Sequence, residues 1–109
     1  IEKVHYPGLG THSTHAEALK LFNNKGFGAM ICFDLIGKTN DDKKKNCDDF
    51  IQKLSDKIPL VPTLGDADTI LMPVEPVWGH KYPFPGMIRF SVGIEDYDYL
   101  EAALKEALI

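Results

Sequence analysis

Two stretches of strict alternation organise the chain. From Phe27 to Ile36, the side chains of Ile31, Phe33 and Leu35 share one side of an extended backbone. From Pro85 to Asp96, Ile88, Phe90 and Val92 alternate with Met87, Arg89 and Ser91. Each pattern predicts a strand with one apolar face, and in the second Arg89 points away from that face. Helical spacing appears three times. Ala18, Leu19 and Phe22 form a stripe behind Thr14 and Glu17, whose three-residue separation fits a reciprocal cap. Cys47, Phe50, Ile51 and Leu54 form a second stripe, entered through Gly37-Lys38-Thr39-Asn40. Leu100, Ala103, Leu104, Ala107 and Leu108 form the third; Gly93 ends the strand before it, and Glu95, Asp96 and Asp98 suit an acidic first helical turn.

The intervening segments read as connections and short strands. Val4-His5-Tyr6 is a brief extended entry broken by Pro7-Gly8. Gly26 predicts the end of the first helix, and the glycines at 26 and 28 suggest close approach of another backbone. Ile58 to Val61 forms a short strand that Pro59 and Pro62 confine to an edge. Thr63 to Asp68 is a turn, and Thr69 to Met72 another short strand. The proline-rich stretch Pro73 to Pro85 predicts an ordered but irregular loop. Short strands without long Val/Ile runs argue against a doubly wound parallel sheet. The expected fold is therefore α+β, a single domain over residues 1–109: a small antiparallel sheet with helices packed on one face, its other face left to meet something else.

Composition narrows the function classes. The 109 residues carry a net charge of −4, with 44% hydrophobic and 26% charged residues, as in an ordinary soluble domain. Lys43-Lys44-Lys45 is bracketed by Asp41, Asp42, Asp48 and Asp49, which reads as a solvated helix face and not as a nucleic-acid patch. No apolar stretch approaches a membrane span, and no signal peptide is visible. Cys32 and Cys47 have no framework spacing, so they are expected as small buried hydrophobes in a reducing, cytoplasmic setting.

Candidate chemistry is sparse. His12 and His15 stand three apart without a third ligand of matching type, so no metal site is expected. Gly26-Phe27-Gly28 precedes a strand instead of opening a helix, which excludes a dinucleotide fingerprint. Asp66 and Asp68 suit a turn. Trp78, beside Gly79 and His80, could line a pocket or pin its own loop. No serine or cysteine has an evident base partner, so no complete catalytic set is encoded. Arg89 stands apart because the chain uses eleven lysines and one arginine. Its planar fork matches a carboxylate in two parallel bonds, which a lysine cannot do; the alternative is a solvated or ion-paired surface arginine.

Several segments, in order, are similar to a known family. They are Tyr6-Pro7-Gly8-Leu9 with Thr11-His12 and His15, Gly26-Phe27-Gly28-Ala29-Met30, Phe33-Asp34-Leu35, Leu64-Gly65 with Thr69-Ile70, and Ile88-Arg89-Phe90-Ser91-Val92-Gly93-Ile94-Glu95-Asp96. Together they resemble the C-terminal domain of the Cys/Met metabolism pyridoxal-phosphate enzymes, which include cystathionine γ-synthase, cystathionine lyases, methionine γ-lyase and O-acetylhomoserine sulfhydrylase. The resemblance implies the small C-terminal domain of a longer, homo-oligomeric enzyme. The large domain of that enzyme would hold pyridoxal 5′-phosphate and the catalytic lysine, leaving no catalytic or cofactor-binding residue here and an isolated chain without activity. It further implies β- or γ-elimination or replacement on sulfur-containing or activated homoserine amino acids. Arg89 would bind the substrate α-carboxylate, with Thr63 and Leu64 of the Thr63-Leu64-Gly65 turn beside it. This chain departs from the family at Thr63, where a serine is usual, at Ala29, where a second glycine is usual, and after Pro73. There Val77-Trp78-Gly79-His80 replaces a longer loop. The alternative is a free-standing α+β ligand-binding or regulatory module without catalysis.

Overall fold

The computed structural model describes residues 1–81 and 83–109, the side chain of His80 excepted. Among these, the strands are β1 (Lys3–His5), β2 (Met30–Asp34), β3 (Ile70–Pro73) and β4 (Met87–Ser91); the α-helices are α1 (His15–Leu21), α2 (Asn40–Leu54), α3 (Val74–Trp78) and α4 (Tyr97–Ala107). The strands form one sheet in the order β1–β2–β4–β3, antiparallel throughout. The expected α+β fold with a small antiparallel sheet is what the chain forms, and α2 and α4 pack on one face of it.

Register explains the two faces. Ile31 pairs with Phe90 and Phe90 with Leu71, while Phe33 pairs with Ile88. These side chains point together into the core with Phe50 and Leu54 of α2 and Leu100, Ala103 and Ala107 of α4. Phe33 sits edge-on to Phe50 at 5.8 Å and tilted against Phe90 at 6.0 Å, geometries that add to simple burial. Because side chains alternate, Cys32, Arg89 and Met72 fall in register on the opposite face, away from that core.

Local chemistry sets most boundaries. Thr39 caps α2 by accepting from Asp42 N, while the Asp42 carboxylate accepts from Thr39 N at 3.2 Å. The lysine run on this helix is paired at the surface: Lys43 with Glu2, Lys44 with Glu75 and Lys45 with Asp49. Residues 59–61 do contribute an edge element, but only as one parallel bridge to Leu71.

Five expectations need correcting. Thr14 caps no backbone N–H of α1; its hydroxyl meets His12 Nδ1 instead, so the Thr14–Glu17 box does not form. Of that helix's stripe only Ala18 is buried, and Phe22 is exposed; the turn out of α1 uses left-handed Asn23 and Asn24. Gly26 and Gly28 have no neighbour within 4 Å of an added Cβ; positive φ, +113° and +87°, is what they supply. Leu108 ends the last helix exposed instead of buried. The segment after Pro73 is helical. Pro73 is the N-cap of α3, and Pro76 lies in its first turn, where backbone N–H groups have no intrahelical acceptor to lose.

Close backbone approach is instead the role of Gly93. A Cβ there would lie 2.2 Å from Ala67 O and 2.6 Å from Thr69 N. Gly93→Ala is therefore expected to lose about 1–3 kcal/mol through backbone displacement, measured as a lower urea midpoint at unchanged slope.

Candidate functional site

Arg89 sits at the centre of β4, flanked by Cys32 on β2 and Met72 on β3. Its Nη2 reaches across β3 and donates to Pro62 O at 3.0 Å and Thr63 O at 2.8 Å. Two residues along the same face, the buried Ser91 accepts from Gly65 N at 3.0 Å. Arg89 and Ser91 thus hold the turn 62–65 at two points, and the turn in turn fixes where the guanidinium lies. Among the described residues no carboxylate pairs with Arg89. A cation held by neutral carbonyls keeps its charge for another anion.

In front of it lies an open hollow of about 300 Å³ lined by Cys32, Met72, Val74, Trp78, Phe84, Met87 and Arg89. A larger cavity, about 420 Å³, lies between α2 and α3. Arg89 does not line it, and its Lys44 is engaged with Glu75 at 3.0 Å. The smaller hollow is the one that Arg89 lines. Of the sequence-predicted site residues, Arg89 and Thr63 are brought together through the Thr63 carbonyl, not its hydroxyl. Leu64 is exposed next to them. Trp78 lines the hollow, while the His80 side chain lies outside the described residues.

The two cysteines differ. Burial pushes the Cys32 thiol up, with Arg89 pulling it down and Asp34 adding upward. Burial pushes Cys47 up to about 12, with Asp48 adding. Both are protonated near neutrality, so neither is a ready nucleophile. His5 and Asp34 pair at 2.7 Å. His15 Nδ1 meets Pro7 O and its ring stacks on Phe27, which makes it a packing residue. Among the described residues no three metal-ligating side chains cluster.

Glu95 is a residue that pattern reading misplaced. It stands before α4, and its carboxylate accepts from Thr69 N and Thr69 Oγ1, each at 2.6 Å. Thr69 Oγ1 accepts in turn from Gly93 N at 2.9 Å. This clamp ties the start of β3 to the end of β4. No local signal marks it, because the partners stand 26 residues apart.

The family description "Cys/Met metabolism PLP-dependent enzyme" matches residues 1–109. An L-methionine gamma-lyase of Fusobacterium nucleatum subsp. polymorphum is 33% identical, the match covering 99% of this chain and 28% of that protein. A cystathionine beta-lyase of Lactococcus lactis subsp. cremoris is 35% identical over 99% of this chain and 28% of its own length. The crystal structure of cystathionine gamma synthase from Xanthomonas oryzae pv. oryzae in complex with cystathionine superimposes with a TM-score of 0.79 at 28% identity, over 98% of this chain and 28% of that one. The chain thus spans little more than a quarter of the length of these relatives.

Two outcomes are expected from this geometry. Burial acts to raise the Glu95 carboxyl, but the hydroxyl and N–H of Thr69 outweigh it and hold the carboxyl below its usual range. Its stabilisation is complete above the unfolded carboxylate value of about 4.3 and is lost as pH falls through the depressed folded value. Thr69→Val should cost about 1–3 kcal/mol at pH 7 by stripping partners from Glu95 and Gly93 N. It should also flatten the acid limb of stability between about pH 5 and 3, followed by urea titration. In thiol labelling at pH 8, Cys47 should react only on unfolding.

Proposed function

This chain belongs to the family of Cys/Met metabolism PLP-dependent enzymes, and we propose that it is the small C-terminal domain of such an enzyme, supplying the arginine that binds a substrate's α-carboxylate. The parent enzyme would be a cytoplasmic, homo-oligomeric C–S lyase or transferase, acting on sulfur-containing or activated homoserine amino acids by β/γ-elimination or replacement.

The residues of this chain do not fit the cofactor itself. The hollow at Arg89 contains no lysine among its described lining residues, and Lys44 and Lys57 are engaged with Glu75 and Glu106 on the surface. In the proposed arrangement a large domain of the same protein holds pyridoxal phosphate and the lysine, and meets the Arg89 side of the sheet. When bound there, the cofactor supplies the electron sink. This chain's part is binding and orientation.

The observation that carries the reading is the geometry of Arg89. It projects from β4, one of the two central strands, on the face that α2 and α4 leave uncovered. Its Nη2 is pinned by the carbonyls of Pro62 and Thr63, and it borders a hollow. A guanidinium so held loses little rotamer freedom on gripping a carboxylate, and a two-point grip fixes the amino acid's angle of approach. Thr63 and Leu64 frame the same turn and would border the bound carboxylate. In the full-length enzyme, Arg89→Lys is expected to lower kcat/KM ten- to a hundredfold, the loss of a charge-assisted fork of about 1.5–3 kcal/mol. Steady-state kinetics on that variant test it; an unchanged kcat/KM would leave Arg89 a surface residue.

A further inference from the structure

We infer that Ser91 is a positioning residue for Arg89: its buried hydroxyl keeps the 62–65 turn seated, so that the guanidinium stands ready before a carboxylate arrives. The inference rests on the carboxylate reading of Arg89 given above and adds what preorganises that group.

Residues 62–69 are stitched along their length to the chain that runs from Arg89 to Glu95. Arg89 Nη2 donates to Pro62 O and Thr63 O. Ser91 Oγ accepts from Gly65 N at 3.0 Å. Ile94 N donates to Ala67 O, and Gly93 N to Thr69 Oγ1, each at 2.9 Å. Glu95 closes the far end on Thr69 N and Oγ1. Positions 89, 91, 93 and 95 thus each hold a successive part of one loop. This is the two-residue period of an extended chain, carried past the end of β4 at Ser91.

Within this series Ser91 is the tie next to the guanidinium. Gly93, Ile94 and Glu95 secure residues 67–69, at the β3 end of the loop. Among the described residues, no hydrogen bond other than that of Ser91 joins residues 64–66 to the sheet. Ser91 is 1% exposed, so water does not compete for its hydroxyl, whereas Leu64 beside the tie is 60% exposed. Without the hydroxyl, Gly65 N loses its acceptor and the turn is free to lift. Lifting carries away the carbonyls of Pro62 and Thr63, which confine the guanidinium. A freed arginine must be ordered by its ligand, and that ordering cost is read as weaker binding. The loss falls on ligands that use the guanidinium; the apolar lining of the hollow stays as built.

The test is equilibrium dialysis of the full-length protein against hexanoate and against hexanamide. The two share a tail and differ in whether a carboxylate or a neutral amide meets Arg89. Hexanoate is expected to bind at least fivefold more tightly. Ser91→Ala should weaken hexanoate roughly five- to tenfold and leave hexanamide within about twofold. Ser91→Cys, whose sulfur is a weak acceptor, should give the same pattern and replaces the alanine variant if that one does not fold. In an Arg89→Lys background, Ser91→Ala should change hexanoate binding by less than about twofold, because a residue acting through Arg89 has nothing left to position. An unchanged hexanoate affinity in the Ser91 variants, equal weakening of both ligands, or an undiminished effect in the Arg89→Lys background overturns the positioning role alone. If hexanamide binds the unaltered protein as tightly as hexanoate, or Arg89→Lys leaves hexanoate unchanged, the carboxylate reading fails and the positioning role with it.

Discussion

The hydrogen bonds from Arg89 to the carbonyls of Pro62 and Thr63 are the contact on which the arrangement turns. An arginine on a solvated strand would sample many rotamers and present its charge diffusely. Two carbonyl acceptors confine the guanidinium without neutralising it. The confinement depends on the turn being in place, and Ser91 secures the turn by accepting from Gly65 N. Thr69, at the turn's far end, is held by Glu95. Alternate positions of one strand thus do opposite jobs. Ile88 and Phe90 fasten β4 to the helices; Arg89 and Ser91 organise the polar face.

That division was legible wherever one residue type stood out against a regular pattern. Alternation in residues 31–35 and 88–92 placed the two central strands, and the rarity of arginine singled out position 89. The α2 stripe and its cap were legible because apolar spacing and capping chemistry agreed over fifteen residues. The failures have a common cause, which is competition from partners distant in sequence or overlooked by pattern. His12 took the hydroxyl that Thr14 was expected to give its own helix. Glu95 looked like part of an acidic helix start, yet bonds Thr69 across the sheet. In α3, proline content hid a helix because prolines at its cap and first turn remove no intrahelical bond. The contact of Arg89 with the Thr63 carbonyl had no marker in the sequence. Side-chain identity cannot reveal a backbone acceptor.

Family membership and geometry bear on different things. The match over residues 1–109 fixes kinship, and the superposition at a TM-score of 0.79 agrees with the fold. Neither says how this chain treats a substrate's side chain, since its relatives carry names with different chemistries.

The sheet's borders carry a last consequence. Along β3, the outer hydrogen-bonding groups of Leu71 are taken by Pro59 O and Val61 N, beside three prolines that cannot donate. The opposite border, β1, is three residues long. Neither margin offers a template on which a further strand could lengthen the ladder. Association by strand addition is thereby discouraged, and growth into fibrils with it.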